Sequence, residues 1–317
     1  MSNRTKTSDA TAASTVSNLE FAPVSVSNAL TVDVEDYFHV EALSNVINRA
    51  DWAKMPSRVE RNVHRLLELF DKQGATATFF ILGLVAERHP QLVRDITEAG
   101  HEAASHGWAH IRVDKQTPEE FHQDCTRTKF LLEDLSGREV IGYRAATFSI
   151  NANTTWAHRL LKETGHQYSS SVYPIRHDLY GMPEAPRYPF LPSGDEGVVE
   201  LPITTLSLFG RKIPCGGGGY FRLMPYAVSR WAIQHINTAE RKPCIFYMHP
   251  WEIDPDQPRQ AGIGHKSRFR HYVNLHRMEG RLAQLLEQFD WKRMDEVFRS
   301  DICRFDRDPR DSRAVHS

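Results

Sequence analysis

The sequence predicts an α/β fold built on a parallel sheet, and three observations carry that prediction. Apolar, β-branched runs alternate with amphipathic helical segments about seven times, the order that builds strand–crossover–strand units. Helix start and stop signals fall between them. No short internal repeat points to a solenoid. On this pattern alone the sheet is either open or closed into a barrel.

"NALTVDV" (28–34) is the first strand. "SRVERNVHRLLELFDKQG" follows as a helix, with Ser57 and Glu60 as a capping box, Val59, Val63, Leu66, Leu67 and Phe70 on one face, and Gly74 as its stop. "ATATFFIL" (75–82) is the second strand, "VAERHPQLVRDITEAG" a helix ending at Gly100, and "HEAAS" (101–105) a short third strand. In "TPEEFHQDCTRTKFLLEDLSG", Thr117 caps, Pro118 takes the first helical position and Glu120 completes a second box. "EVIGYR" is the fourth strand, "NTTWAHRLLKETG" a helix and "QYSSSVY" the fifth strand. The Pro-rich "YGMPEAPRYPFLP" must be irregular. "GVVELPI", the helix "PYAVSRWAIQHINTA" and "PCIFYMH" complete the series, and "HYVNLHRMEGRLAQLLEQF" reads as one further helix. Its stripe of Leu275, Met278, Leu282, Leu285 and Phe289 packs on the main domain.

The chain has 317 residues, of which 40% are hydrophobic, enough for one large core. Lys and Arg number 39 against 40 Asp and Glu, so charge gives no argument for nucleic acid or an anionic membrane as partner. Cys125, Cys215, Cys244 and Cys303 have no CxxC spacing, which excludes a zinc ribbon and a disulfide framework and suits a reducing cytosol. Residues 1–27 are Ser-, Thr- and Ala-rich and read as a disordered tail with no signal-peptide pattern. No apolar run reaches the roughly 18 residues of a membrane span, and the expectation is a soluble, cytoplasmic protein.

In parallel βα folds chemistry gathers where the strands end. Here strand one runs into Asp33, Glu35 and Asp36, strand three into "HGWAH" with His106 and His110, strand four into Arg144 and strand seven into His249. Imidazoles plus one carboxylate make a three-ligand, zinc-type site with open positions, suited to metal-assisted hydrolysis. A second carboxylate can take the water proton, a histidine opposite can protonate the leaving group, and Arg144 can pair with that carboxylate.

These motifs resemble the polysaccharide deacetylase (NodB-homology, carbohydrate esterase family 4-like) family, and within it the branch associated with exosortase/PEP-CTERM exopolysaccharide loci. "LTVDVEDYFHV", "HGWAH", "GYRAATFSI" and "YMHPWEID" are similar to its four motifs, in order, and the resemblance spans about residues 28 to 298. It implies a distorted seven-stranded parallel β/α barrel with a C-terminal helical extension: a catalytic domain over 28–255 and an extension over 256–317. It implies Asp33 as general base, His249 as general acid, Arg144 positioning Asp33, a backbone N–H near Thr147 facing the oxyanion, and His106 and His110 as metal ligands. Two positions depart from the pattern. Val34 stands where the family has a second aspartate, so the carboxylate ligand is Glu35 or Asp36: Glu35 shares a face with Asp33 if the strand persists, and either reaches if the chain turns. Ala146 replaces the family proline, which loosens the loop carrying the oxyanion donor.

The implied activity is metal-dependent, zinc-type hydrolysis of N-acetyl groups on amino sugars of an exopolysaccharide or its precursor. Trp108, Trp251 and Tyr220 are candidates for sugar contact. "CGGGGYFR" lacks a phosphate-loop pattern and reads as a flexible loop near substrate. Two alternatives remain: hydrolysis of a small cyclic amide or ureide, favoured by a pocket closed by the Pro-rich segment, and a silent carbohydrate-binding protein.

Overall fold

The computed structural model describes residues 26–192 and 197–305; residues 1–25 of the expected tail lie outside them. In chain order the strands are β1 (Asn28–Val34), β2 (Thr78–Ile81), β3 (Glu102–Ser105), β4 (Gly142–Tyr143), β5 (Tyr168–Ser169) and β6 (Val199–Glu200). Then come β7 (Thr205–Leu208), β8 (Arg211–Pro214), β9 (Ile245–Met248) and β10 (Trp291–Lys292). The main sheet runs β9-β1-β2-β3-β4-β5-β6, every pair parallel, with β10 added beside the start of β1. It curls, and its two edges are bridged through the segment after β6. Thr204 Oγ1 accepts from Ile245 N–H at 2.6 Å, and Gly216 carbonyl from Tyr247 N–H at 2.8 Å. The result is the distorted barrel of seven parallel strands that the sequence led us to expect.

β1 is buried along its whole length because both faces are covered. Leu30, Val32 and Val34 pack outward with the helices, whereas Ala29 packs inside with Phe80 and Ala104. Strand alternation therefore sends Thr31 and Asp33 into the barrel interior. Val34 pairs with Ile81, Ile81 with Ser105 and Ser105 with Tyr143. The residues just past these strands consequently share one rim.

Around the sheet lie α1 (Val59–Gln73), α2 (Gly83–Arg88), α3 (Pro90–Glu98), α4 (Pro118–Ser136), α5 (Ala157–Glu163), α6 (Gly218–Leu223) and α7 (Tyr226–His235). The region after them is mainly helical, with α8 (His265–Tyr272), α9 (Leu275–Gln288), α10 (Met294–Val297) and α11 (Arg299–Phe305). The predicted box at Thr117 and Glu120 caps α4. That at Ser57 and Glu60 does not form. The start of α1 is capped from a distance by Asp36, which accepts the N–H groups of Arg58 and Val59 and the Ser57 hydroxyl.

The long final helix is two. Asn274 adopts φ 52° between α8 and α9, and the buried Arg222 guanidinium takes the freed carbonyls of Arg270, His271 and Val273 at 2.8–3.0 Å. The stripe residues Leu275, Met278, Leu282 and Leu285 are buried as expected, and Phe289 partly so. Two elements were not foreseen: the antiparallel β7–β8 hairpin, and β10, which brings this region into the main sheet. The "CGGGGYFR" segment is no flexible loop either. Gly217, at φ 114°, lies so close to β9 that a Cβ would meet the Tyr247 carbonyl, and the following residues form α6.

Candidate active site

β1, β3, β4 and β9 deliver their next residues to the common rim. After Val34 the chain turns sharply, with Glu35 N–H bonded to Asp33 carbonyl at 2.9 Å. The turn sends Glu35 and Asp36 in different directions. Glu35 Oε1 lies 3.3 Å from His106 Nε2, 3.4 Å from His110 Nε2 and 3.5 Å from His249 Nε2. Asp36, spent on the start of α1, is not among the three groups that converge. Of the two carboxylates, Glu35 is the one the structure brings to His106 and His110.

Glu35, His106 and His110 are buried, and their candidate ligand atoms lie within 4.8 Å of one another. Two details suit this trio to a cation. His106 Nδ1 donates to Arg144 carbonyl at 2.7 Å, which leaves the Nε2 lone pair facing Glu35. Glu35 Oε2 is buried without a hydrogen-bond partner among the described residues, a costly state unless something positive satisfies it. Burial alone would push the Glu35 carboxyl up, but the imidazoles of His110, His106 and His249 outweigh it and hold it well below the ordinary range. The candidate ligand atoms of a second, overlapping trio, Asp33, Glu35 and His249, also lie within 4.8 Å of one another. Its members are committed elsewhere: Asp33 to Arg144, and His249 through Nδ1 to Glu252 at 2.8 Å.

Arg144 is fully buried. Its Nη1 donates to Asp33 Oδ1 at 2.6 Å and to Thr31 Oγ1 at 2.8 Å; Nε and Nη2 donate to the carbonyl and hydroxyl of Ser170, each at 3.0 Å. Phe80 lies under the guanidinium at 4.1 Å. Asp33 Oδ2 remains directed toward His249, 4.0 Å away. The His249 imidazole is 19% exposed and rises to about 9: burial opposes its charge, but Glu252, Glu35 and Asp33 together overcome burial. Arg222 Nε holds Glu252 in turn at 2.6 Å.

Glu252 and Arg222 were not among the sequence candidates. Glu252 stands three residues after His249 within "HPWE", the spacing at which a short helical turn returns a carboxylate to its first residue, and that was the available signal. Arg222 had none.

Asp33, Glu35, His110 and His249 sit in a pocket of about 290 Å³ with Thr147, Tyr220 and Trp251 in its wall. Thr147 and Phe148 both hold left-handed backbone, φ 55° and 47°, a conformation that costs of order 1–3 kcal/mol at a non-glycine residue. Trp251 is buried, stacked between His249 and His271 at 5.2 and 4.4 Å. Trp108 does not line this pocket: its backbone N–H donates to Asp124 at 2.9 Å, and its ring packs on Gly83 and lies 3.2 Å from the Arg127 guanidinium.

Residues 52–169 match the polysaccharide deacetylase family model, and residues 170–299 match a domain of unknown function, DUF3473. A peptidoglycan deacetylase of Helicobacter pylori is 30% identical over 113 residues, covering 36% of this chain and 38% of that protein. The peptidoglycan-N-acetylglucosamine deacetylase PgdA of Listeria monocytogenes is 32% identical over 72 residues, 23% of this chain and 16% of that protein. The chain thus matches well under two thirds of these relatives' length. A crystal structure from Mycobacterium smegmatis, described as a polysaccharide deacetylase, superposes with TM-score 0.58 at 21% identity, covering 89% of this chain and 92% of that one. Puue allantoinase does so with TM-score 0.54 at 16% identity, covering 86% and 89%. Both share the fold. The two family matches meet inside the sheet, between β5 and β6, so His249 and Glu252 from the second complete a rim begun by His106, His110 and Arg144 in the first. Residues 52–169 are thus similar to polysaccharide deacetylases, and the match to DUF3473 follows on from them without a break.

Proposed function

We propose that this protein is a metal-dependent hydrolase that removes N-acetyl groups from amino sugars of an exopolysaccharide or its precursor. The observation that carries the reading is the convergence of Glu35, His106 and His110 beside an Asp33 held by Arg144 and opposite His249. A divalent cation held by that trio, zinc by its nitrogen and oxygen donors, would polarise the amide carbonyl and acidify a water.

The remaining work falls to the chain's own groups. Asp33 accepts the water proton through the oxygen that Arg144 leaves free. His249, charged and aimed by Glu252, delivers a proton to the departing amine. The Thr147 backbone, in the pocket wall, supplies the N–H for the oxyanion. Tyr220 and Trp251 contact the sugar. The free cysteines suit action in the cytoplasm, on a precursor.

The test is acetate release from N-acetylglucosamine oligomers by zinc-loaded protein. Asp33→Asn and His106→Ala should each abolish it, and normal turnover in either variant refutes the assignment. A second reading, opening of a small cyclic amide, draws on one observation: Tyr180, which begins the Pro-rich segment, and His177 and Leu179 just before it wall the pocket. Ring opening of such amides without acetate release would favour it.

A further inference from the structure

The mouth of the pocket has a chemistry of its own. Among the described residues nine large hydrophobic side chains are exposed, and three of them, Leu179, Leu223 and Phe269, line this one pocket at 39%, 49% and 57% exposure. They come from three separate segments: the loop after β5, the end of α6, and α8. The two cations nearby share one carboxylate. Asp178 takes Lys266 at 2.6 Å and Arg270 at 3.0 Å, pinning α8 to the loop across the opening. The mouth thus carries three apolar side chains from three segments, beside a cation pair tied to one carboxylate.

We infer, resting on the deacetylase reading, that the protein takes an N-acetylated amino sugar joined to an apolar carrier, with Leu179, Leu223 and Phe269 gripping that carrier. Size supports this. At about 290 Å³ the pocket is at the small end of the roughly 300–1,000 Å³ of small-molecule sites, room for about one sugar unit. Whatever is attached to that unit must leave over the rim. Leu179, Leu223 and Phe269 themselves offer nothing to a polysaccharide's hydroxyls, whereas an alkyl chain would remove their surface from water. Because the patch runs into the pocket ending at Asp33 and Glu35, its occupant is continuous with the reacting sugar.

The experiment compares the methyl and octyl β-glycosides of N-acetylglucosamine on zinc-loaded full-length protein, by calorimetry below the micelle concentration and by acetate release. Burial of the chain on the rim predicts binding of the octyl glycoside at least about tenfold tighter. Leu223→Ser and Phe269→Ser, each already half exposed and so unlinked to folding, should both shrink that ratio. Equal affinities in the wild type, or an unchanged ratio in both variants, overturn the inference. Equal affinities together with a concentration-dependent dimer that the same substitutions abolish would make the rim a self-association surface instead. The two readouts separate the claims: a large affinity ratio without acetate release from either glycoside supports the apolar rim while removing the deacetylase reading.

Discussion

Arg144→Met tests the arrangement most sharply, because the guanidinium is fully buried and Met nearly fills its volume. The substitution leaves Asp33 as a buried carboxylate without its cation and strips donors from Thr31 and from both oxygens of Ser170. Removing one partner of a buried ion pair costs about 3–5 kcal/mol, and the orphaned Ser170 carbonyl adds about 1–3 kcal/mol. Against a total stability of about 5–15 kcal/mol, a loss of about 4–8 kcal/mol should bring the variant close to unfolding. Guanidinium denaturation followed by circular dichroism measures it. The companion Asp33→Asn/Arg144→Met removes the unpaired charge, and should regain about 2–4 kcal/mol of that loss. A single variant within about 1 kcal/mol of wild type, or a double variant no more stable than the single, would refute the account of Arg144 as the cation that makes a buried Asp33 tolerable.

Three further outcomes follow from the site and its surroundings. Glu35→Gln should abolish stoichiometric zinc binding with little change in melting temperature, whereas Asp36→Ala should keep zinc and lose about 1–2 kcal/mol from the uncapped α1; metal analysis and thermal melts check both. Glu252→Gln removes the first of the charges that raise His249 to about 9, so the alkaline limb of the kcat profile should move to lower pH. Glu102, beneath Tyr168 and Thr78, is raised to about 8 by burial and by Asp295. From the ordinary 4.5 up to that value the unfolded chain has released a proton that the folded one keeps, so stability falls as pH rises. Glu102→Gln cannot titrate, and its stability relative to wild type should improve between pH 5 and 8, by as much as about 4 kcal/mol.

The barrel and most of the rim were legible because both rest on local patterns. β1 reads as a strand from seven residues, and a parallel register carries whatever follows each strand to the same edge, so Asp33, His106, Arg144 and His249 could be named from position. What was hidden depends on partners distant in sequence. Ser57 and Glu60 form a plausible capping box, yet Asp36 reaches α1 first. The α8–α9 break is invisible in an unbroken hydrophobic stripe, because its cause is Arg222 collecting carbonyls from some fifty positions away. Trp108 illustrates the converse: proximity in sequence to the two candidate ligand histidines did not bring its ring into the pocket, since Asp124 takes its backbone N–H and the Arg127 guanidinium covers its ring elsewhere.

The position of β1 also sets a schedule for biosynthesis. This strand leaves the ribosome before any of its three partners, and its far neighbours β9 and β10 emerge only when most of the chain has been made. Until then an apolar edge bearing Asp33 and Glu35 stays uncovered, a state prone to wrong pairing. Nascent chains stalled before β9 should therefore engage chaperones, and competence for chemistry should arrive late and all at once rather than growing with length.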